Sequence, residues 1–184
     1  MYNKYTVSAF LLLLPLFSSA ESASFDYVDM GYNNTDFAFS TVDNGYEFKF
    51  SKTVSDNIYI SGDIVSVLGR NARLSVTTIG VGYKYDFSSS SAFFVEADHA
   101  KVDEDDGDGG YILDGYEVTI GVRSRLSENL DTVIGFERLD LDYYTHDSIL
   151  LGASYRVLGN FSLYAEVKNG SDASRYGLGF RYNL

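Results

Sequence analysis

The chain contains no cysteine, no tryptophan, one proline and two histidines in 184 residues. Without cysteine an exported protein has no disulfide framework, so its stability must come from closed backbone hydrogen bonding and burial. The single proline, Pro15, lies close to the N-terminus, and everything after it is proline-free. Long apolar runs are also missing after the first twenty residues, which excludes a helical membrane span there. Basic residues are scarce, with 14 Lys and Arg against 26 Asp and Glu and a formal net charge of −12. That balance argues against nucleic acid as a partner and against a polybasic membrane anchor. What is abundant is strand-forming: 16 tyrosines and 13 phenylalanines, alongside many valines, glycines and threonines, in a chain with no proline to interrupt a ladder.

The N-terminus carries Lys4, an apolar run from Phe10 to Phe17 and the small residues Ser18-Ser19-Ala20. This is the pattern of a secretory signal peptide over residues 1–20, with cleavage after Ala20. Residues 21–184 then form one domain.

Side chains alternate sides along a strand, so the last ten residues sort cleanly. Tyr176, Leu178, Phe180, Tyr182 and Leu184 share one face, while Arg175, Gly177, Gly179, Arg181 and Asn183 share the other. The same alternation recurs in Tyr46, Phe48, Phe50; Ile79, Val81, Tyr83, Tyr85; Tyr116, Val118, Ile120, Val122; Ile149, Leu151, Ala153, Tyr155; and Phe161, Leu163, Ala165, Val167. An apolar outer face around a polar interior is the reverse of a soluble barrel and fits a transmembrane one. Tyrosines such as Tyr32, Tyr46, Tyr116 and Tyr155 are expected at the membrane interfaces.

Four short turn-like segments, at 55–57, 88–91, 127–129 and 158–160, alternate with five longer polar ones, at 33–44, 68–73, 103–112, 142–146 and 169–174. Tight periplasmic turns and longer external loops alternate in this way in outer-membrane barrels. The fold class expected is therefore all-β, a transmembrane antiparallel up-and-down barrel of ten strands, with eight as the alternative count. The strands are expected near 24–32, 45–54, 58–67, 74–87, 92–102, 113–126, 130–141, 147–157, 161–168 and 175–184, most reaching the roughly 9 to 11 residues that cross a bilayer at a tilt.

The inward parity collects Asp29, Glu47, Asp63, Glu96, Asp98, Glu117, Glu137 and Glu166 with Lys49, Lys84, Arg123, Arg156, Lys168 and Arg181. Charges held away from water persist when paired, so a lumen network is expected, with Gly80, Gly82, Gly121, Gly135, Gly152, Gly177 and Gly179 giving room to the long side chains. Small barrels are filled by side chains, which disfavours a wide pore and leaves a narrow channel as the second reading.

Two further groups carry chemistry. Asp103-Glu-Asp-Asp-Gly-Asp-Gly-Gly110 is the densest acidic run, and Asp103, Asp105, Asp106 and Asp108 are the candidate ligands for a divalent cation such as calcium. Glu104, Asp106, Asp108 and Gly109 imitate the start of an EF-hand loop, but Gly115 stands where its closing glutamate belongs. The two histidines are His99, which follows Asp98 near the outer end of the fifth expected strand, and His146, which stands with Ser148 beside a predicted external rim in an arrangement that loosely resembles a hydrolytic one. The His146 and Ser148 spacing is similar to the catalytic corner of outer-membrane lipid A deacylases, without the Asn-Ala that follows the serine there. A rim-located lipid esterase or protease is thus the third reading, and no enzyme activity and no cofactor are expected.

Taken with these strands, the segments Ile79-Gly-Val-Gly-Tyr-Lys-Tyr85, Tyr116-Glu-Val-Thr-Ile-Gly-Val122 and Tyr176-Gly-Leu-Gly-Phe-Arg-Tyr182 make the chain resemble the small outer-membrane β-barrel proteins of Gram-negative bacteria, the porin-like or OmpA/OmpX-like group. The resemblance spans residues 24–184. It implies the cell outer membrane as location, outer-membrane lipid and lipopolysaccharide as surroundings, and the outer-membrane assembly machinery as a partner in biogenesis. That group usually ends on an aromatic residue, whereas Leu184 is last here and Tyr182 is the nearest aromatic. The resemblance does not fix a job, because one barrel scaffold carries many functions. The leading expectation is a non-enzymatic barrel with a side-chain-filled lumen and acidic external loops for envelope or surface interaction, the acidic run being the candidate site for divalent cations.

Overall fold

A computed structural model describes residues 23–37, 43–69, 73–105 and 110–184. Ten antiparallel strands run in chain order: β1 (Tyr27–Phe37), β2 (Asp43–Ser55), β3 (Ile58–Leu68), β4 (Arg73–Asp86), β5 (Ser91–Asp105), β6 (Gly110–Ser127), β7 (Leu130–Leu141), β8 (Tyr144–Leu158), β9 (Phe161–Gly170) and β10 (Ala173–Asn183). Each pairs with its neighbours in sequence, and β1 pairs with β10 to close the barrel. Closure leaves no edge strand, so every ladder group has a partner in a medium that offers none.

The connections 56–57, 87–90, 128–129 and 159–160 share one end of the barrel with residues 23–26 and the C-terminus, here called the turn end. Gly159 adopts φ 53° in the last of these turns, a left-handed conformation that glycine takes without a Cβ clash. Register shifts at Thr53/Ser55, Arg125/Ser127 and Arg156/Leu158 place a bulge beside three of the four turns, adding local twist where the chain reverses.

At the opposite, loop end the strands run further than the sequence pattern implies. Expected loops at 103–112, 142–146 and 169–174 shrink because β5 continues to Asp105, β8 begins at Tyr144 and β9 reaches Gly170. The connections left there are short, down to Asp142-Tyr143 and Ser171-Asp172. Polar side chains had marked these stretches as loops, but an outward polar residue beyond the lipid breaks no rule of strand pairing.

The outer surface is apolar as the alternation requires, with Met30 64% and Phe180 66% exposed. Near the turn end Tyr83, Tyr85, Tyr155, Phe161 and Tyr182 project outward, the last two in an edge contact of 5.1 Å. Tyr32 and Tyr46 pack edge to face at 6.0 Å nearer the loops. Amphipathic rings in two such rows suit the two water interfaces of a bilayer.

The expected first strand, 24–32, is displaced. Residues 23–26 precede β1 and turn into the lumen, where Ala23 and Phe25 are buried. The expected leader, residues 1–20, lies outside the described residues.

Candidate functional site

Three layers fill the lumen from the turn end to the loop end. The first is an aromatic plug. Phe25, 2% exposed, packs at 4.8 Å from Tyr59 and 5.9 Å from Phe94, ring centre to ring centre. Arg123 stacks over Phe25 at 4.5 Å and donates to the carbonyl of Ser24 at 3.0 Å and to the Tyr27 hydroxyl at 3.3 Å. Lys84 sits 5.4 Å from the same ring. Two of the expected network cations thus serve an aromatic face, an arrangement strengthened where water is excluded. Room comes from small residues: a Cβ on Gly82 would overlap the Tyr59 ring, and one on Gly121 would lie 2.9 Å from Phe94. These glycines therefore accommodate rings rather than the long charged side chains expected beside them.

Asp26 tethers the plug segment to the barrel wall. Its carboxylate accepts from the Lys52 ammonium at 2.8 Å and the Thr53 amide at 2.6 Å. Burial opposes ionisation of Asp26, but the Lys52 and Thr53 hydrogen bonds outweigh it and hold the carboxyl below its ordinary value. A group depressed in the folded state contributes stability above its unfolded pKa of about 3.9 and loses it as pH falls through the folded value. Asp26→Asn is accordingly expected to lower stability at neutral pH by less than about 1 kcal/mol, since the pair is partly exposed. Urea unfolding at a series of pH values should show the difference shrinking below pH of about 4 and vanishing on further acidification.

The second layer is a charged belt. Arg181 grips Asp29 through two bonds, Nε to Oδ1 at 2.8 Å and Nη2 to Oδ2 at 2.7 Å, and lies 3.8 Å over the Tyr27 ring. Lys49 lies 2.5 Å from Glu166 and 3.7 Å from Glu47, whose other oxygen accepts from the Tyr164 hydroxyl at 2.5 Å. Arg175 links Asp63 at 3.5 Å to Glu166 at 3.8 Å. Lys168 pairs with Glu137, which also accepts from Ser148 at 3.4 Å. The belt is thus a set of local clusters rather than one mesh. Among the described residues Glu96, Glu117 and Arg156 make no ion pair, and Asp98, which accepts from Ser61 at 3.1 Å, has the acid Glu96 as a further neighbour.

Arg175 belongs to this belt although it was outside the expected set of network residues. It stood at the very start of the expected last strand, where parity says little about depth, whereas β10 begins two residues earlier. On the β6–β10 side of the lumen a small cavity of about 20 Å³ touches Arg123, Tyr164, Glu166 and Arg181, room for about one water.

The third layer contradicts the expected polar interior. Val65, Val67, Leu74, Val76, Val102, Leu113, Leu139 and Leu141 point inward from β3 to β7 and form an apolar wall. Facing it from β1 and β8 to β10 are Thr35, His146, Ser148, Lys168, Asp172 and Arg175. Together they enclose a cavity of about 620 Å³ that runs from the belt to the loop end, within the usual range for small-molecule sites.

The remaining candidates fall apart in space. Asp103 and Asp105 are exposed on the outer side of β5, whereas Glu104 alternates inward and accepts from Tyr111. Asp106 and Asp108 lie outside the described residues, and no cluster of three metal-ligating side chains occurs among the described ones. His146 stacks on Tyr144 at 6.0 Å, with its Nδ1 3.2 Å from the Tyr144 hydroxyl and 3.9 Å from Asp172. Ser148 is turned to Glu137 instead. His99 projects outward, 3.8 Å from Asp114.

A closed barrel with a lipid-compatible exterior and a charged lumen defines the outer-membrane, porin-like class of β-barrel fold. Solved structures of that class match it. A KdgM porin in complex with disordered oligogalacturonate aligns with a TM-score of 0.50 at 16% identity, covering 86% of this chain and 99% of that one. The outer membrane protein OprG from Pseudomonas aeruginosa aligns at 0.48 and 12% identity, covering 89% and 98%. Neisserial surface protein A aligns at 0.44 and 13% identity, covering 89% and 100%. At these identities the likeness concerns the fold alone. No protein-family model matches the chain, and no curated protein matches it in sequence.

Proposed function

We propose that this chain is an integral protein of the bacterial outer membrane, exported by its 1–20 leader and inserted by the outer-membrane assembly machinery. It acts without enzymatic chemistry as a sealed barrel whose loop end meets lipopolysaccharide, divalent cations and other surface partners. The observation that carries this reading is the stacking of the Phe25 plug beneath the charged belt. Ion pairs that cross the lumen and rings that fill its turn end leave little room for a water column, which weighs against the narrow-channel reading. The turn of Ser148 toward Glu137 rather than His146 weighs against hydrolysis at the rim, because a nucleophile needs its base within hydrogen-bond reach.

Orientation and location are tested together by placing an epitope in the Asp142-Tyr143 turn of the protein expressed in a Gram-negative host. Antibody labelling of intact cells, with heat-modifiable protein in the outer-membrane fraction, is the expected result. A soluble periplasmic protein, or an epitope reached only after lysis, contradicts the proposal.

A further inference from the structure

The loop-end cavity has two properties that a merely structural void lacks. First, its two sides differ in kind: Val76, Val102, Leu113, Leu139 and Leu141 form a continuous apolar wall opposite the polar strands β8 to β10. A ligand pocket that recognises orientation has this composition, an apolar majority with a few placed polar groups.

Second, its charges do not balance. The lining carries Asp63, Glu104, Glu117, Glu137 and Asp172 against Lys168 and Arg175. Both cations are already engaged, Lys168 by Glu137 and Arg175 by Asp63. Glu117 stands at the foot of the apolar wall without a direct ion pair, because Lys168, the cation that acts on it from across the cavity, is held by Glu137. Directly across the β5–β6 ladder stands Asp98, also inward, 3% exposed, with an Oδ2 that has no hydrogen-bond partner. Two facing carboxylates repel each other, and a buried carboxylate without partners is costly. A positive group seated between the apolar wall and Glu117 relieves both, whereas an anion would add a third negative charge.

We propose that the loop-end cavity binds a small amphipathic molecule bearing an ammonium group, with the ammonium on Glu117 and the apolar body against the β3–β7 wall. The inference rests on the reading of the barrel as sealed below and facing outward above, because only then does the cavity receive ligand from one side. Glu117 supplies charge selectivity; the wall supplies affinity common to any apolar body of suitable size.

The test uses the full mature barrel in phosphatidylcholine nanodiscs, titrated with phenylbutylamine, phenylbutanol and phenylbutyrate. Binding is read from the methyl resonances of Leu113, Leu139 and Leu141, with lipid-facing Leu151 and Leu163 as controls for bilayer partitioning. The amine is expected to shift the three inward leucines saturably and to bind at least about tenfold tighter than the carboxylate, as for a hydrogen-bonded charge pair. Glu117→Gln, close in shape to the native residue, should bring amine affinity down to that of the alcohol and leave the alcohol unchanged. Leu141→Trp, checked for folding by heat-modifiable migration, should abolish all three. Shifts confined to the lipid-facing leucines, a preference for the carboxylate, or amine affinity untouched by Glu117→Gln would each overturn the proposal. A failure of the sealed-barrel reading would appear instead as ionic conductance, which these titrations do not measure.

Discussion

Asp29→Ala is expected to lower the stability of the barrel by about 3–5 kcal/mol, the cost of leaving one charge of a buried pair without its partner. Asp29 is 1% exposed and receives both bonds of the Arg181 guanidinium. The two residues also stand directly opposite each other in the β1–β10 ladder, so the pair pins the seam at which the first and last strands close the barrel. Loss of Asp29 strands Arg181 beside the Tyr27 ring, and Glu166 is the next acid along β9. Urea unfolding in lipid vesicles, followed by circular dichroism and by migration on unheated gels, measures the effect. The paired replacement Asp29→Leu with Arg181→Met should recover most of the loss, because removing both charges of a buried pair is far less costly than removing one. A loss under about 1 kcal/mol for the single change would mean that the pair is solvated and that the belt is not dry.

Phe25→Ala is expected to be comparably severe, about 3–5 kcal/mol, the range for removing a phenylalanine ring from a packed interior. The ring is the common contact of Tyr59, Phe94, Arg123 and Lys84. Its removal opens a void at the turn end and takes the aromatic face away from two cations at once. Phe25→Leu should cost much less by preserving volume, although it too forfeits the stacked cations. Equal stabilities for the native protein and Phe25→Ala would show that residues 23–26 do not seat in the lumen.

Both effects originate in parts of the molecule that differ in how openly the sequence displays them. Asp29 and Arg181 were readable because strict alternation around them, Met30 on one side and Phe180 and Tyr182 on the other, fixes which way they point. The same regularity in Ile79 to Tyr85 and Tyr116 to Val122 made ten strands countable. Phe25 was not readable: it precedes the first ladder residue, where period two gives no information, and its partners come from β3, β4, β5 and β6. Nor was the apolar wall. Ile64-Val65-Ser66-Val67-Leu68 is apolar on both faces, so parity there cannot separate lipid from lumen, and Leu113, Leu139 and Leu141 lie close to stretches that read as loops. Burial on both faces is a property of the closed barrel, and it emerges only when non-adjacent strands face each other across the lumen. The pairing pattern of the belt was hidden for the same reason. Lys49 meets Glu166 across 117 positions of sequence, a contact that depends on the curvature and stagger of the whole sheet.

The central claim is that plug and belt close the lumen. Single-channel recording of the purified, refolded full mature barrel in a planar bilayer tests it most directly. A flat trace in molar potassium chloride is expected for the native protein. Stable, reproducible conductance steps from native protein, persisting after the folded species is separated from unfolded chains, would contradict it.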